Sequence, residues 1–207
     1  MTDAGTGRRT QAERRAETRQ RVLEAATALV AASGSRAASL AAVGEAAGYS
    51  RGIVSHHFGS KAGLLEELIS YTQQFEVATD APTGLARLGQ FVETYLAGLH
   101  DRSPRSEAFL KLWTESAGAE ASLAPMFAER DAWFRDYLAR HIRDGVSDGS
   151  ISADVDVGAA AVALVGLLRG TALMLFSTAR TVDVAELSAQ VARGVCRSLN
   201  SRDGAGS

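Results

Sequence analysis

Residues Ser39–Lys61, SLAAVGEAAGYSRGIVSHHFGSK, decide the fold. Two short runs, Leu40–Ala47 and Arg51–Phe58, are separated by Gly48-Tyr49-Ser50, and the second is closed by Gly59. Ser39, Ser50 and Ser60 each stand just before a run of helix formers, where a hydroxyl can accept an N–H group that a helix start leaves open. Gly48 permits a sharp reversal, and Gly44 is small where the two helices would cross. Val43, Tyr49 and Val54 are placed to wedge the pair together, which turns Arg51, Gly52, Ser55 and His56 outward. Two short helices about such a turn form a helix-turn-helix, the unit that lays its second helix in the DNA major groove.

The flanks are helical too. Periodicity predicts a helix over 14–33, with Val22, Ala26, Leu29 and Val30 inward and Gly34 ending it. A helix over 61–75 turns Leu64, Leu65, Leu68 and Ile69 inward, and 77–84 reads as a linker. Longer helices follow with a 3.6-residue stripe. They start near Leu85, at Ser103-Pro104, near Pro125, after Asp156 and after Asp183. Gly145 and Gly149 loosen the end of the third of these. Only three prolines occur in the chain and no segment reads as a β-hairpin. The expected fold is all-α. A flexible basic tail (1–13) leads into a three-helix DNA-binding domain (14–60), a helical effector-binding and dimerisation bundle (61–200) and a polar tail (201–207).

Composition narrows the function. The 207 residues are 46% hydrophobic and carry a net charge of −2. Residues 1–61 hold nine basic and five acidic side chains, so this end carries +4 and the remainder −6. A basic end on an acidic body suits a polyanionic partner. A single cysteine, Cys196, excludes an internal disulfide framework and a cysteine-rich metal site, and suits a reducing cytoplasm. No apolar signal-peptide core follows Met1–Gly7. The longest apolar stretch, Val157–Phe176, is interrupted by Arg169, which favours a buried helix over a membrane span. His56 and His57 are neighbours that point to different helix faces, with no Cys or acid at ligand spacing, so no metal is expected. No cofactor motif or nucleophile elbow is present, and Gly59–Gly63 lacks phosphate-loop spacing. No catalytic residue is therefore assigned.

The run GYSRGIVSHHFGSKAGLL resembles the DNA-binding signature of the TetR family of bacterial transcriptional regulators. The body from FLKLWTE (109–115) to LLRGTAL (167–173) is similar to its betaine-responsive, BetI-like branch. The resemblance places Arg51, Gly52, Ile53 and Ser55 where the family reads bases. It places Ser39, His56, His57 and Lys61 where the family contacts phosphates, and Ser50 joins the same DNA-binding set. Arginine near the start of a reading helix can pair bidentately with guanine. Three departures stand out. Ser55 occupies a position where tyrosine is common, Gly44 replaces a usual alanine, and Ala41 and Ala42 offer no long polar side chain. Base reading then rests on Arg51, helped by Arg8, Arg9, Arg14 and Arg15 as a minor-groove arm or a solvated one.

The resemblance implies a cytoplasmic repressor, nucleoid-associated when bound to DNA. It would bind double-stranded palindromic operator DNA as a homodimer, and a small-molecule effector would release it. Helices 157–179 and 184–199 carry more apolar surface than one body can hide, so dimerisation is expected over 157–199, with Gly166 and Gly170 allowing close approach. Phe91, Phe109, Trp113, Phe127, Trp133, Phe134, Tyr137 and Met174 are candidates to line an apolar effector cavity, walled by the helices bearing Phe91, Trp113, Trp133 and Met174. Aromatic stripes at helical spacing are more often core, so each of these singly is a weak pocket candidate. A ligand-independent DNA-binding or adaptor protein therefore stays open, while a helical enzyme finds little support. His100 and His141 read as surface or helix-end histidines, and Cys196 as a small buried or interface residue.

Overall fold

The computed structural model describes residues 10–72, 80–99, 103–118, 120–177 and 182–200. Among these residues there are nine α-helices and no strand. Arg8, Arg9, His100, residues 73–75 of the expected fourth helix and the C-terminal tail lie outside the described residues.

Helix α1 (Gln11–Ser33) begins three residues before the sequence reading placed it. The Thr10 hydroxyl accepts the Glu13 N–H at 3.2 Å, and the Glu13 carboxylate accepts the Thr10 N–H at 2.7 Å. This reciprocal cap satisfies two backbone donors at once and draws residues 11–13 out of the tail. Helices α2 (Leu40–Ala47), α3 (Arg51–Phe58) and α4 (Lys61–Thr72) follow. Val22, Leu23, Ala26, Val30, Val43, Val54, Leu64 and Leu68 form the sealed centre of this small bundle.

The body contains α5 (Gly84–Ala97), α6 (Pro104–Ser116), α7 (Ala124–Ser147), α8 (Val157–Ser177) and α9 (Val184–Leu199). Side chains of Thr83, Ser103, Asp156 and Asp183 accept the N–H groups of Ala86, Ser106, Ala159 and Glu186, which fixes the starts of α5, α6, α8 and α9. Helix α5 packs against α7 and α9, α7 against α8, and α6 reaches across to α1 and α4. Helix α8 is long and apolar enough to cross a membrane by length and composition alone. Its inner face nevertheless carries a buried, ion-paired Arg169, which belongs in a protein bundle. The helix is not buried all round: Val162, Leu167, Leu173 and Met174 are exposed.

Gly145 does not loosen α7; it permits a close crossing. A Cβ on Gly84 would lie 2.1 Å from the Gly145 nitrogen, and one on Gly145 would lie 2.5 Å from Ile151 Cδ1. The Asp148 carboxylate accepts the Gly84 N–H at 2.7 Å and ties the same crossing. Gly84→Ala should therefore push α5 from α7 at a cost of about 1–3 kcal/mol. The thermal midpoint, followed by circular dichroism, should fall by about 2–4 °C per kcal/mol. An unchanged midpoint would show that the crossing relaxes without cost.

Candidate nucleic-acid interface

Helix α3 is held by its two ends and by the turn before it. The Ser50 hydroxyl accepts the Ile53 N–H at 3.3 Å, and the Ser39 hydroxyl accepts the Ala42 N–H at 3.1 Å. Each hydroxyl still has a proton to donate to a phosphate oxygen. Val43 and Val54 are fully buried between α2 and α3, and Tyr49 is half-buried with the Arg21 guanidinium 5.6 Å from its ring centre. A Cβ on Gly44 would come within 2.8 Å of the Tyr49 carbonyl oxygen, so glycine in place of the family's usual alanine is what this turn geometry needs. Gly48, with φ of 77°, takes the left-handed conformation that ends α2.

This scaffold leaves Arg51, Gly52, Ile53 and His56 exposed along one edge of α3. Ser55 differs. It is half-buried, and its hydroxyl donates to the Gly59 carbonyl at 3.1 Å, turning back on the end of its own helix. Lys61 opens α4, where the Ser60 hydroxyl accepts the Gly63 N–H at 3.1 Å. The positive end of that helix and the Lys61 charge reinforce each other as an anion grip.

The sequence reading missed part of this surface. Gln11, Ala12 and Arg15 of α1 join His56 and His57 around a cleft of about 480 Å³. The signal that could have found Gln11 is the Thr10-x-x-Glu13 cap, which extends α1 back to this cleft. The two imidazoles meet edge to face, 5.7 Å apart. Burial holds the His57 pKa below 6.5, helped by the positive charges of His56, Arg15 and Arg19 and opposed by Glu67. Among the described residues, no group of three His, Cys, Asp or Glu side chains could hold a metal ion.

The aromatic candidates of the body do not gather around one described cavity. Phe91, Phe109, Phe127 and Phe134 are buried core, with ring centres 6.0 Å apart for Phe91–Phe134 and 5.7 Å for Phe109–Phe127. Trp133 is 43% exposed and stacks on Tyr137. With Ile69, Ser70 and Met126 it lines a cleft of about 260 Å³ between α4 and α7. Met174 is 62% exposed and lies with Gly166, Gly170 and Leu187 on the outer side of α8. The reason is rotational: at 100° per residue, Met174 faces away from Val165 and Ala172, which are buried. The expected wall of Phe91, Trp113, Trp133 and Met174 is therefore corrected.

His141 is corrected as well. Its ring lies 4.8 Å from that of Tyr137, its Nδ1 is buried without a hydrogen-bond partner, and burial lowers its pKa. Tyr95 is pushed up to about 12 by burial, with Arg169 opposing.

A polar clamp joins the body to the reading head. Lys111 Nζ of α6 donates to the carbonyl oxygens of Ala31 and Ala32, which the end of α1 leaves without helical partners. One turn on, the Glu115 carboxylate accepts the Ser35 N–H at 3.0 and 3.3 Å.

Comparison with known proteins agrees with this architecture. Residues 22–68 match the family model for bacterial regulatory proteins of the tetR family, and residues 84–200 match the model for the BetI-type transcriptional repressor, C-terminal. The chain is 24% identical to the HTH-type transcriptional regulator UidR of Escherichia coli strain K12 over 155 residues, 74% of this chain and 79% of that protein. It is 36% identical to the HTH-type transcriptional regulator BetI of Yersinia pestis strain Pestoides F over 88 residues, 42% of this chain and 38% of that one. In fold it is similar to NalD, the secondary repressor of the MexAB-OprM multidrug efflux pump in Pseudomonas aeruginosa. The TM-score is 0.77 at 21% identity, covering 93% of this chain and 100% of the other.

Three outcomes follow for the reading head. Arg51→Ala should cost about 1–3 kcal/mol on a specific site and relax preference at one base per half-site. Lys61→Ala should weaken all sequences alike and lower the salt slope by about one. Fluorescence anisotropy against selected and scrambled duplexes separates them, and intact preference in Arg51→Ala would remove α3 as the reading helix. The lowered pKa leaves His57 neutral at pH 7.5 in the free protein, whereas a nearby phosphate favours the imidazolium. Affinity should then rise as pH falls towards 6, and His57→Gln should flatten that rise.

Proposed function

We propose a mode of action for this chain, which belongs to the TetR family of bacterial regulatory proteins and carries a BetI-type repressor C-terminal domain. It is a DNA-binding transcriptional regulator, not an enzyme. In the proposed mode it grips a palindromic operator as a homodimer through α3, represses there, and leaves when a small-molecule effector reshapes the body. Its place of action is the cytoplasm, at the nucleoid while DNA-bound. The observation that carries the effector-responsive part is the Lys111–Glu115 clamp, which makes the position of α1 depend on α6. A plain DNA-binding or adaptor protein would not need its reading head tied to the effector-side bundle.

The dimer is assigned to α8 and α9. Leu167, Leu173 and Met174 are exposed on α8 and Val182 stands just before α9, an apolar surface that a second copy can cover. Gly166 and Gly170 have open space where a side chain would stand, so backbones can approach there. Pairing with the copies of these helices gives a four-helix interface with two-fold symmetry. The two α3 helices then meet half-sites about one DNA turn, or a multiple of it, apart. To lower operator affinity a hundredfold, the effector must favour the wrongly spaced dimer by about 2.7 kcal/mol.

Selection from random DNA with the full chain should recover a palindrome, and light scattering should show a dimer at micromolar concentration. Leu167→Arg with Met174→Arg should give a folded monomer whose operator affinity falls by more than about a hundredfold. A wild-type monomer that still binds the selected site tightly would defeat the two-fold assignment.

A further inference from the structure

Helices α6 and α8 each turn one stripe of side chains towards a shared cleft of about 290 Å³ that neither helix fills. Leu110 of α6 with Leu173 and Phe176 of α8 give it an apolar wall. Leu110 is buried while Leu173 is 40% exposed, so the wall runs from the core out to solvent and an entering molecule meets apolar surface from the mouth inward. The volume lies at the lower end of the range for ligand pockets and suits a body of one or two rings or a short chain. The dimer surface proposed above lies on the α9 side of α8, with Gly166, Gly170 and Leu187, whereas this cleft lies on the α6 side.

The polar groups around this wall narrow the choice of ligand. The Thr114 hydroxyl donates to the Lys111 carbonyl at 2.9 Å, and the Ser177 hydroxyl donates to the Met174 carbonyl at 3.1 Å. Both have spent their protons on their own helices and offer the cleft only lone pairs. Lys111 has a proton left: its ammonium carries three, and the carbonyls of Ala31 and Ala32 take two. Glu107 lines the cleft one helical turn before Lys111, so the two charges there cancel. An anion gains Lys111 but meets Glu107, and a cation gains Glu107 but meets Lys111. An uncharged head that both accepts and donates uses both sides at once. A primary amide does so, with its carbonyl on Lys111 and its two N–H groups on Glu107 and the hydroxyl oxygens.

We infer that the α6–α8 cleft is the effector site and takes a small apolar body with an uncharged, amide-like head. This rests on the effector-responsive reading above and names the site and the class of effector. The position supplies the coupling. A head group bonded to the third proton of Lys111 pulls the ammonium towards the cleft and away from the carbonyls of Ala31 and Ala32. The clamp on the end of α1 is then loosened by the same contact that holds the ligand.

The test uses the full-length protein and two amides, naphthalene-2-carboxamide and octanamide. Each is matched with its carboxylate, 2-naphthoate or octanoate, and with its ammonium ion, 2-naphthylmethylammonium or octylammonium. Calorimetry reads binding, and anisotropy of a labelled duplex reads release of the selected operator. The amides should bind at least about tenfold tighter than either ion of the same body and release the operator over the same concentration range. Glu107→Gln leaves the Lys111 charge alone and should move the preference to the carboxylates. Lys111→Met leaves the Glu107 charge and should move it to the ammonium ions; if that variant fails to fold, Glu107→Gln decides. Thr114→Trp, at an exposed position on the rim, fills the cleft and should lower amide affinity at least about tenfold at the wild-type mass by light scattering. The site is overturned if an ion binds the wild type as tightly as its amide, if the amides are silent to about 1 mM, or if Glu107→Gln leaves the order of preference unchanged. It is overturned too if Thr114→Trp binds the amides as the wild type does, or if its mass falls, which means that a second copy covers the cleft. Amide binding without operator release would uphold the site and overturn the effector-responsive reading instead.

Discussion

Everything the molecule can do to DNA depends on α6 being held on two faces at once. Towards α1 it offers Lys111 and Glu115, which fill the open carbonyls at the end of α1 and the N–H of Ser35 just beyond it. Towards the bundle it offers Phe109 and Trp113, which press on Arg169. A helix gripped by charge-assisted hydrogen bonds on one side and by packed rings on the other moves as a piece. Displacing one side therefore shifts the other, and a body without catalytic machinery gains a way to act on a reading head.

The reading head is itself stiff. Serine caps begin α2, α3 and the stretch into α4, and the interlocked Val43–Val54 contact leaves the two short helices one way to sit. The Gly44 crossing admits no Cβ without disturbing the Tyr49–Ser50 backbone. In the proposed dimer, rigid-body movement of this unit would change the spacing between two α3 helices without altering either one. Spacing is what a two-fold operator reads.

How much was legible in the sequence follows from how local each signal is. The α2–α3 unit, its serine caps and the starts of α6, α8 and α9 were readable because a cap is written within four residues. The Thr10–Glu13 box is equally local but hides in a polar, arginine-rich stretch, so α1 was begun late and Gln11 was missed. Gly145 was misread because a glycine near a helix end looks like a terminator, whereas its partner Gly84 lies 61 positions away in sequence. The aromatic residues failed as a set because periodicity tells which face of a helix is apolar, not what that face meets. Trp133 and Met174 share the chemistry of Phe91 and Phe134 but sit outside the core. The clamp and the Arg169 box join elements far apart in sequence, and nothing in composition or spacing announces them.

Helix α8 shows how one element can serve two constraints that pull apart. The proposed dimer wants an apolar outer face with small residues, and Leu167, Gly170 and Met174 would provide it. The inner face instead carries Arg169, packed among the rings of Phe109, Trp113 and Phe134 and paired with Asp131. Replacing the buried pair by apolar residues would often leave such a bundle no less stable, so stability alone does not explain its presence. The two faces share one rigid backbone. In the proposed dimer, a shift of α8 against α7 would therefore be carried to the outer face, and from there to the separation of the reading helices.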